Sequence, residues 1–134
     1  MITTTARPAG PRPEFGLSWV VRPGGEQARP ALEVYVAGTL ADVLVATPLS
    51  PAALGGGGRL AGRGRTARVM AWGRLAAGSP PVVEFRPFIG RPRLALVTKV
   101  SPWFWVAAEP GRFATVTVRH DGHAQRRRLR RIRP

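Results

Sequence analysis

Apolar residues in this chain recur at every second position, and that period restricts the fold more than any motif does. Phe15, Leu17, Trp19 and Val21 alternate with Gly16, Ser18, Val20 and Arg22. Leu32, Val34 and Val36 alternate with Glu33, Tyr35 and Ala37. Val69, Ala71, Gly73 and Leu75 alternate with Arg68, Met70, Trp72 and Arg74. A strand turns successive side chains to opposite faces, so a period of two yields one apolar face, whereas an amphipathic helix needs a repeat near 3.6. The runs VVEFRPF, RLALVTKV, SPWFWVAAE and GRFATVTVR extend the pattern between Gly- and Pro-rich breaks. The expected fold is all-β: a single small domain of about eight short strands, a β-sandwich or partly open barrel, with flexible basic termini.

The expected organisation has three parts. Residues 1–13, with Pro8, Pro11 and Pro13, read as a disordered N-terminal arm. Residues 14–120 form the β domain, and 121–134 a basic turn and tail. Within the domain, residues 48–66 (PLSPAALGGGGRLAGRGRT) read as a Gly-rich loop. Ser50-Pro51 resembles a helix start there, which Gly55 would end within about one turn. No Gly-Lys-Ser/Thr closes the glycine run, so it lacks the phosphate-loop pattern.

Three hairpins carry definite registers. A type II′ loop at Gly38-Thr39 pairs Val36 with Ala41, Val34 with Val43 and Leu32 with Val45. A four-residue loop at 89–92 pairs Phe85 with Leu96 and Val83 with Thr98. Asp121-Gly122 suits a type I′ turn. A strand from Ala124 then pairs Leu129 with Ala114 but sets Arg127 opposite Val116. That hairpin is expected to begin and then fray into a tail or a short basic helix.

Charge points to a partner. Lys+Arg is 21 and Asp+Glu is 7, a net +14. Six of these cations lie in the last nine residues, and without them fifteen still face seven acids. A field of that sign draws nucleic acid, anionic lipid or an acidic protein. Only Lys99 is lysine; the other 20 cations are arginine. Guanidinium forks bind phosphate and stack on bases. A GC-rich coding bias, consistent with the abundant Ala, Gly and Pro, is the competing origin of the Arg:Lys ratio. It does not account for the scarcity of acids.

The candidate phosphate contacts are Arg126, Arg127, Arg128, Arg130, Arg131 and Arg133 in the tail, and Arg59, Arg63 and Arg65 in the Gly-rich segment. Trp103, Phe104 and Trp105 are consecutive, so in a strand they cannot all face one core. Trp103 and Trp105, with Arg93, Lys99 and Arg112 as cations, are candidates to stack on bases. The competing reading is that both faces of that strand are covered. Trp19 and Trp72 read as core. His120-Asp121-Gly122-His123 gathers the residue types of a catalytic or zinc site, but zinc takes three or four ligands and no further one is evident. No catalytic residue, metal or cofactor is assigned, and the chain is expected not to be an enzyme.

The absence of cysteine excludes disulfides and fits a reducing compartment. No secretory signal and no stretch of about 20 apolar residues is visible, so a cytoplasmic location without a membrane span is expected. The expected function is non-enzymatic binding of nucleic acid, DNA or RNA. The alternative is a structural or adaptor subunit of a larger assembly, such as a secretion, phage-like or ribonucleoprotein particle. Its basic tail would dock on an acidic protein partner, or the chain would form a homo-oligomer.

Overall fold

The computed structural model describes residues 16–25, 29–47, 53–60, 67–75 and 80–132. The N-terminal arm and the Ser50-Pro51 helix start lie outside them. The described residues form strands and no helix. In chain order these are β1 (Leu17–Arg22), β2 (Ala31–Val36), β3 (Thr39–Val45), β4 (Leu54–Leu60), β5 (Arg68–Arg74), β6 (Val82–Arg86), β7 (Arg93–Leu94), β8 (Thr98–Lys99), β9 (Phe104–Pro110), β10 (Thr115–His120) and β11 (His123–Arg128). They build three antiparallel sheets, β1-β2-β3, β4-β5-β9-β8 and β11-β10-β6-β7. The domain is sandwich-like and is not a closed barrel.

The sheet of β4, β5, β9 and β8 lies in the middle, because it carries core on both faces. Met70 and Trp72 of β5 pack with Leu17, Trp19, Leu32, Val34 and Leu44 of the first sheet. Val69 and Ala71, their neighbours in sequence, pack with Val83, Phe85, Val116 and Val118 of the third. β9 divides the same way, with Phe104, Val106 and Ala108 toward the first sheet and Trp105 and Ala107 toward the third. A strand covered on both faces reads as a continuous apolar run. That explains VMAW in β5 and FWVAA in β9, whereas β2 simply alternates.

The Gly-rich segment is not a loop where it is described. Leu54–Leu60 is β4, paired with β5 from Leu54↔Gly73 to Leu60↔Arg68. Glycine weakens a free strand, so local preference argues against this. Pairing with β5 makes the strand, and the neighbours' proximity demands glycine in it. A Cβ on Gly56 would lie 2.6 Å from Trp72 Nε1, and one on Gly58 would collide with Ile132. The glycines let a strand fit where Trp72 and Ile132 come close.

Two other registers differ from expectation. The β2–β3 loop is Ala37-Gly38, both with positive φ (51° and 81°), not Gly38-Thr39. Leu32 faces Leu44 and Val34 faces Asp42, with a bulge between Val34 and Tyr35. β3 carries apolar residues on both faces, so the side-chain pattern alone leaves its register open. Packing on the middle sheet selects one: Leu44 is buried in the core, and Asp42 Oδ2 accepts the Trp72 Nε1–H at 2.7 Å. RLALVTKV is two strands. β7 pairs Arg93 with Phe85 and Leu94 with Glu84. The chain then crosses to the middle sheet, where β8 joins β9.

The Asp121-Gly122 turn forms with positive φ at both residues, and Val116 faces Arg127 as expected. The strand does not fray. Leu129 N–H donates to Ala114 O at 2.8 Å, and Leu129 is buried between the middle and third sheets. Beyond it the tail runs alongside β4. Arg59 N–H donates to Arg130 O at 2.9 Å, and Ile132 N–H donates to Arg59 O at 2.8 Å. The described part of the tail is thus an ordered strand that joins the edges of two sheets, not a flexible arm. Two apolar anchors, Leu129 and Ile132, and satisfied backbone groups hold it.

Candidate nucleic-acid interface

Strand alternation decides which tail arginines face outward. Val116 and Val118 of β10 point into the core, so Thr115, Thr117 and Arg119 point out. On β11, Arg126 lies opposite Thr117 and Arg128 opposite Thr115, so both join the outer face. On β6, Val83 and Phe85 are core, which turns Glu84 and Arg86 outward. The outer face of the third sheet therefore carries Arg86, Arg119, Arg126 and Arg128 around one acid, Glu84. Glu84 Oε1 lies 2.7 Å from Arg86 Nε and 3.7 Å from Arg119 NH1.

Arg127 does not belong to this face. It shares the inward side with Gln125 and Leu129, and its position at the sheet edge lets it reach the Gly55 carbonyl at 3.0 Å. Gln125 Oε1 accepts the Leu54 N–H at 2.9 Å. A long side chain can lay its stem on apolar surface and place its charge at the rim. This removes the objection to setting Arg127 opposite Val116.

At the Arg86–Arg128 end, the face adjoins a groove of about 330 Å³ between the middle and third sheets. Arg59, Arg68, Arg112 and Arg131 line it, together with Phe88 and Phe113, and no described carboxylate does. Arg59 and Arg131 meet in a parallel bridge between β4 and the tail. Like charges on adjacent strands repel. Phe113 is held in place, its ring 5.9 Å from that of Phe85 and 5.9 Å beneath the Arg93 guanidinium. Arg93 also lies 3.6 Å from Glu109. Phe88 is 79 % exposed in the β6–β7 loop.

The expected contacts thus separate into groups. Arg126 and Arg128 lie on the outer face, while Arg59 and Arg131 lie in the groove. Arg130 is exposed between these groups, and Arg127 is engaged with backbone. Arg63, Arg65 and Arg133 lie outside the described residues. Trp105 cannot stack on a base: it is 0 % exposed, wedged between two sheets, with Nε1–H donated to Ala53 O at 3.2 Å. Trp103 is 49 % exposed but precedes β9, at the end opposite Pro110 and the groove. A strand of that length separates them by roughly 20 Å. The two tryptophans therefore form no joint platform, and Arg93 and Arg112 accompany Phe113 rather than Trp103. Trp19 and Trp72 are core.

Sequence reasoning missed Arg68, Arg86, Arg119, Phe88 and Phe113 as site residues. Phe88-Ile89 ahead of a positive-φ Gly90 was the one local signal, an aromatic presented on a tight loop. At the opposite end, His120 Nδ1 and Asp121 Oδ2 are 3.3 Å apart across the type I′ turn. No group of three or more His, Cys, Asp or Glu residues that could hold a metal ion occurs among the described residues. Among the same residues, no helix is long and apolar enough to cross a membrane. Comparison with protein-family models, with curated proteins and with solved structures returned no match.

Proposed function

We propose that the protein binds nucleic acid without catalysing a reaction, holding backbone phosphates on the outer face of its third sheet and in the adjoining groove. One observation carries this reading: Arg59, Arg112 and Arg131 line the groove, and no described carboxylate does. The described acids are engaged elsewhere. Glu33 pairs with Arg22, Asp42 with Trp72, Glu84 with Arg86, Glu109 with Arg93 and Asp121 with His120. Guanidinium forks match phosphate geometry, and a rigid strand presents Arg126 and Arg128 at a fixed spacing. Such contacts supply grip and position rather than base readout.

Fluorescence anisotropy across a salt series tests this. Neutralising about four to six duplex phosphates gives a slope of log affinity against log salt of about −4 to −5. Binding that is absent at low salt, or indifferent to salt, contradicts the proposal.

A second reading, a structural subunit of a larger assembly, is favoured by a different surface. Edge strand β3 exposes Leu40, Val43 and Val45, and an uncovered apolar edge invites pairing with another chain. Size-exclusion chromatography with light scattering after nuclease treatment separates the two. A defined oligomer free of nucleic acid supports the assembly reading; a monomer that regains added oligonucleotide supports the first.

A further inference from the structure

We infer that the groove seats one unstacked nucleotide of a single strand, with phosphate against Arg59, Arg112 and Arg131 and the base against Phe88. This rests on the nucleic-acid reading and narrows it from polyanion to single-stranded substrate. A purely electrostatic surface needs no aromatic ring, yet here a phenyl ring that is 79 % exposed lines the same recess as Arg59, Arg112 and Arg131. Exposed rings are poor solvent-facing groups, and base stacking is a use that any base satisfies.

The recess is pre-built on the side where a ligand would need support. Phe113 is fixed by Phe85 on one side and by Arg93 over its ring. Gly111 makes that position available, since a Cβ there would lie 2.9 Å from Phe113 Cε2. Arg131 is placed by the tail's hydrogen bonds to β4. Of the two rings, Phe88 is the one left uncovered, so it is the ring a base can reach. At about 330 Å³ the space falls at the small end of ligand sites. It admits a base or a single nucleotide. A duplex keeps its bases stacked and paired inside, and so offers this recess phosphates only.

The experiment measures affinity of the full chain for a short fluorescein-labelled oligothymidine, for a duplex of the same length, and for inorganic polyphosphate as competitor. Expected is a preference for the single strand over the duplex of about tenfold. Phe88→Ala should abolish that preference, weakening single-strand binding by about tenfold and leaving duplex binding within about twofold. Phe88 is exposed, so the variant should melt with the parent protein; Phe88→Tyr should retain the preference and exclude a folding artefact. Equal affinity for both strands, unchanged by Phe88→Ala, overturns the inference and leaves phosphate binding intact. Displacement by polyphosphate with no stacking effect overturns it likewise. Absence of binding to any oligonucleotide at low salt overturns the nucleic-acid reading itself.

Discussion

The two outer sheets are both antiparallel and both cover a face of the middle sheet, and they differ in what they show to solvent. The strands of the first contain one arginine, Arg22, against two acids, Glu33 and Asp42. Those of the third contain six arginines against one acid, Glu84. In the first sheet the one arginine is neutralised in place: Arg22 Nε lies 2.6 Å from Glu33 Oε2, and Tyr35 OH donates to Glu33 Oε1 at 2.8 Å. In the third, Glu84 serves two arginines, and its strands put no other carboxylate on the outer face. The surplus of cations is therefore segregated by sheet. A coding bias raises arginine along the whole chain and cannot choose a side of the fold; the location of the surplus is what makes it a candidate binding surface.

Four experiments put this contrast at risk. The largest effect belongs to the seam beneath the basic sheet. Trp105→Ala should cost about 3–5 kcal/mol of stability by urea titration, while Trp103→Ala should stay within about 0.5 kcal/mol. Near-equal costs would show that the buried and exposed tryptophans had been wrongly told apart. Next, Arg126→Gln with Arg128→Gln should weaken oligonucleotide binding by about tenfold or more and reduce the salt slope by about 2. Arg22→Gln on the first sheet should leave both unchanged, and an equal loss from either sheet removes the contrast.

A smaller effect concerns Thr117, which lies between Glu84 and Arg126 in register and is 6 % exposed with no partner for its buried hydroxyl among the described residues. Thr117→Val should stabilise the fold by about 1 kcal/mol in the same titration without altering binding. Destabilisation would mean that the hydroxyl has a partner. The smallest effect is acid sensitivity of the first sheet. Hydrogen bonds from Arg22 and Tyr35 hold the Glu33 carboxyl below its ordinary value. A lowered carboxyl pKa stabilises the fold above the unfolded value, near pH 4.5, and that contribution disappears as pH falls through the lowered one. Glu33→Gln should thus flatten the acid limb of a melting-temperature profile slightly, since exposed pairs contribute little. An unchanged limb would show that the pair does not couple to folding.

Most strands were legible because alternation is a local property. The Asp121-Gly122 hairpin was legible down to its pairs because a two-residue turn fixes the register of the two strands it joins. β4 was not, since four glycines carry no side-chain period; the strand exists because it pairs with β5, and Trp72, Leu44 and Ile132 crowd out any side chain at three of those positions. The continuation of β11 was not, because its hold comes from β4, about 70 residues earlier in the chain, as in the hydrogen bond from Arg59 N–H to Arg130 O. The groove was legible only in part. Arg59 and Arg131 stood out as members of basic runs, but Phe88, Arg112 and Phe113 come from other loops, and nothing in their own neighbourhoods announces that they meet.

The order of residues was enough to establish an all-β chain, the sides of most strands that share a face, and an excess of positive charge larger than the tail. Packing in three dimensions was needed to stack three sheets, to seal Trp105 while leaving Phe88 open, and to send alternate arginines of one strand to opposite sides. Periodicity states which residues point together. What lies against them depends on elements distant in the chain, and burial, pairing and charge neutralisation all follow from that second fact.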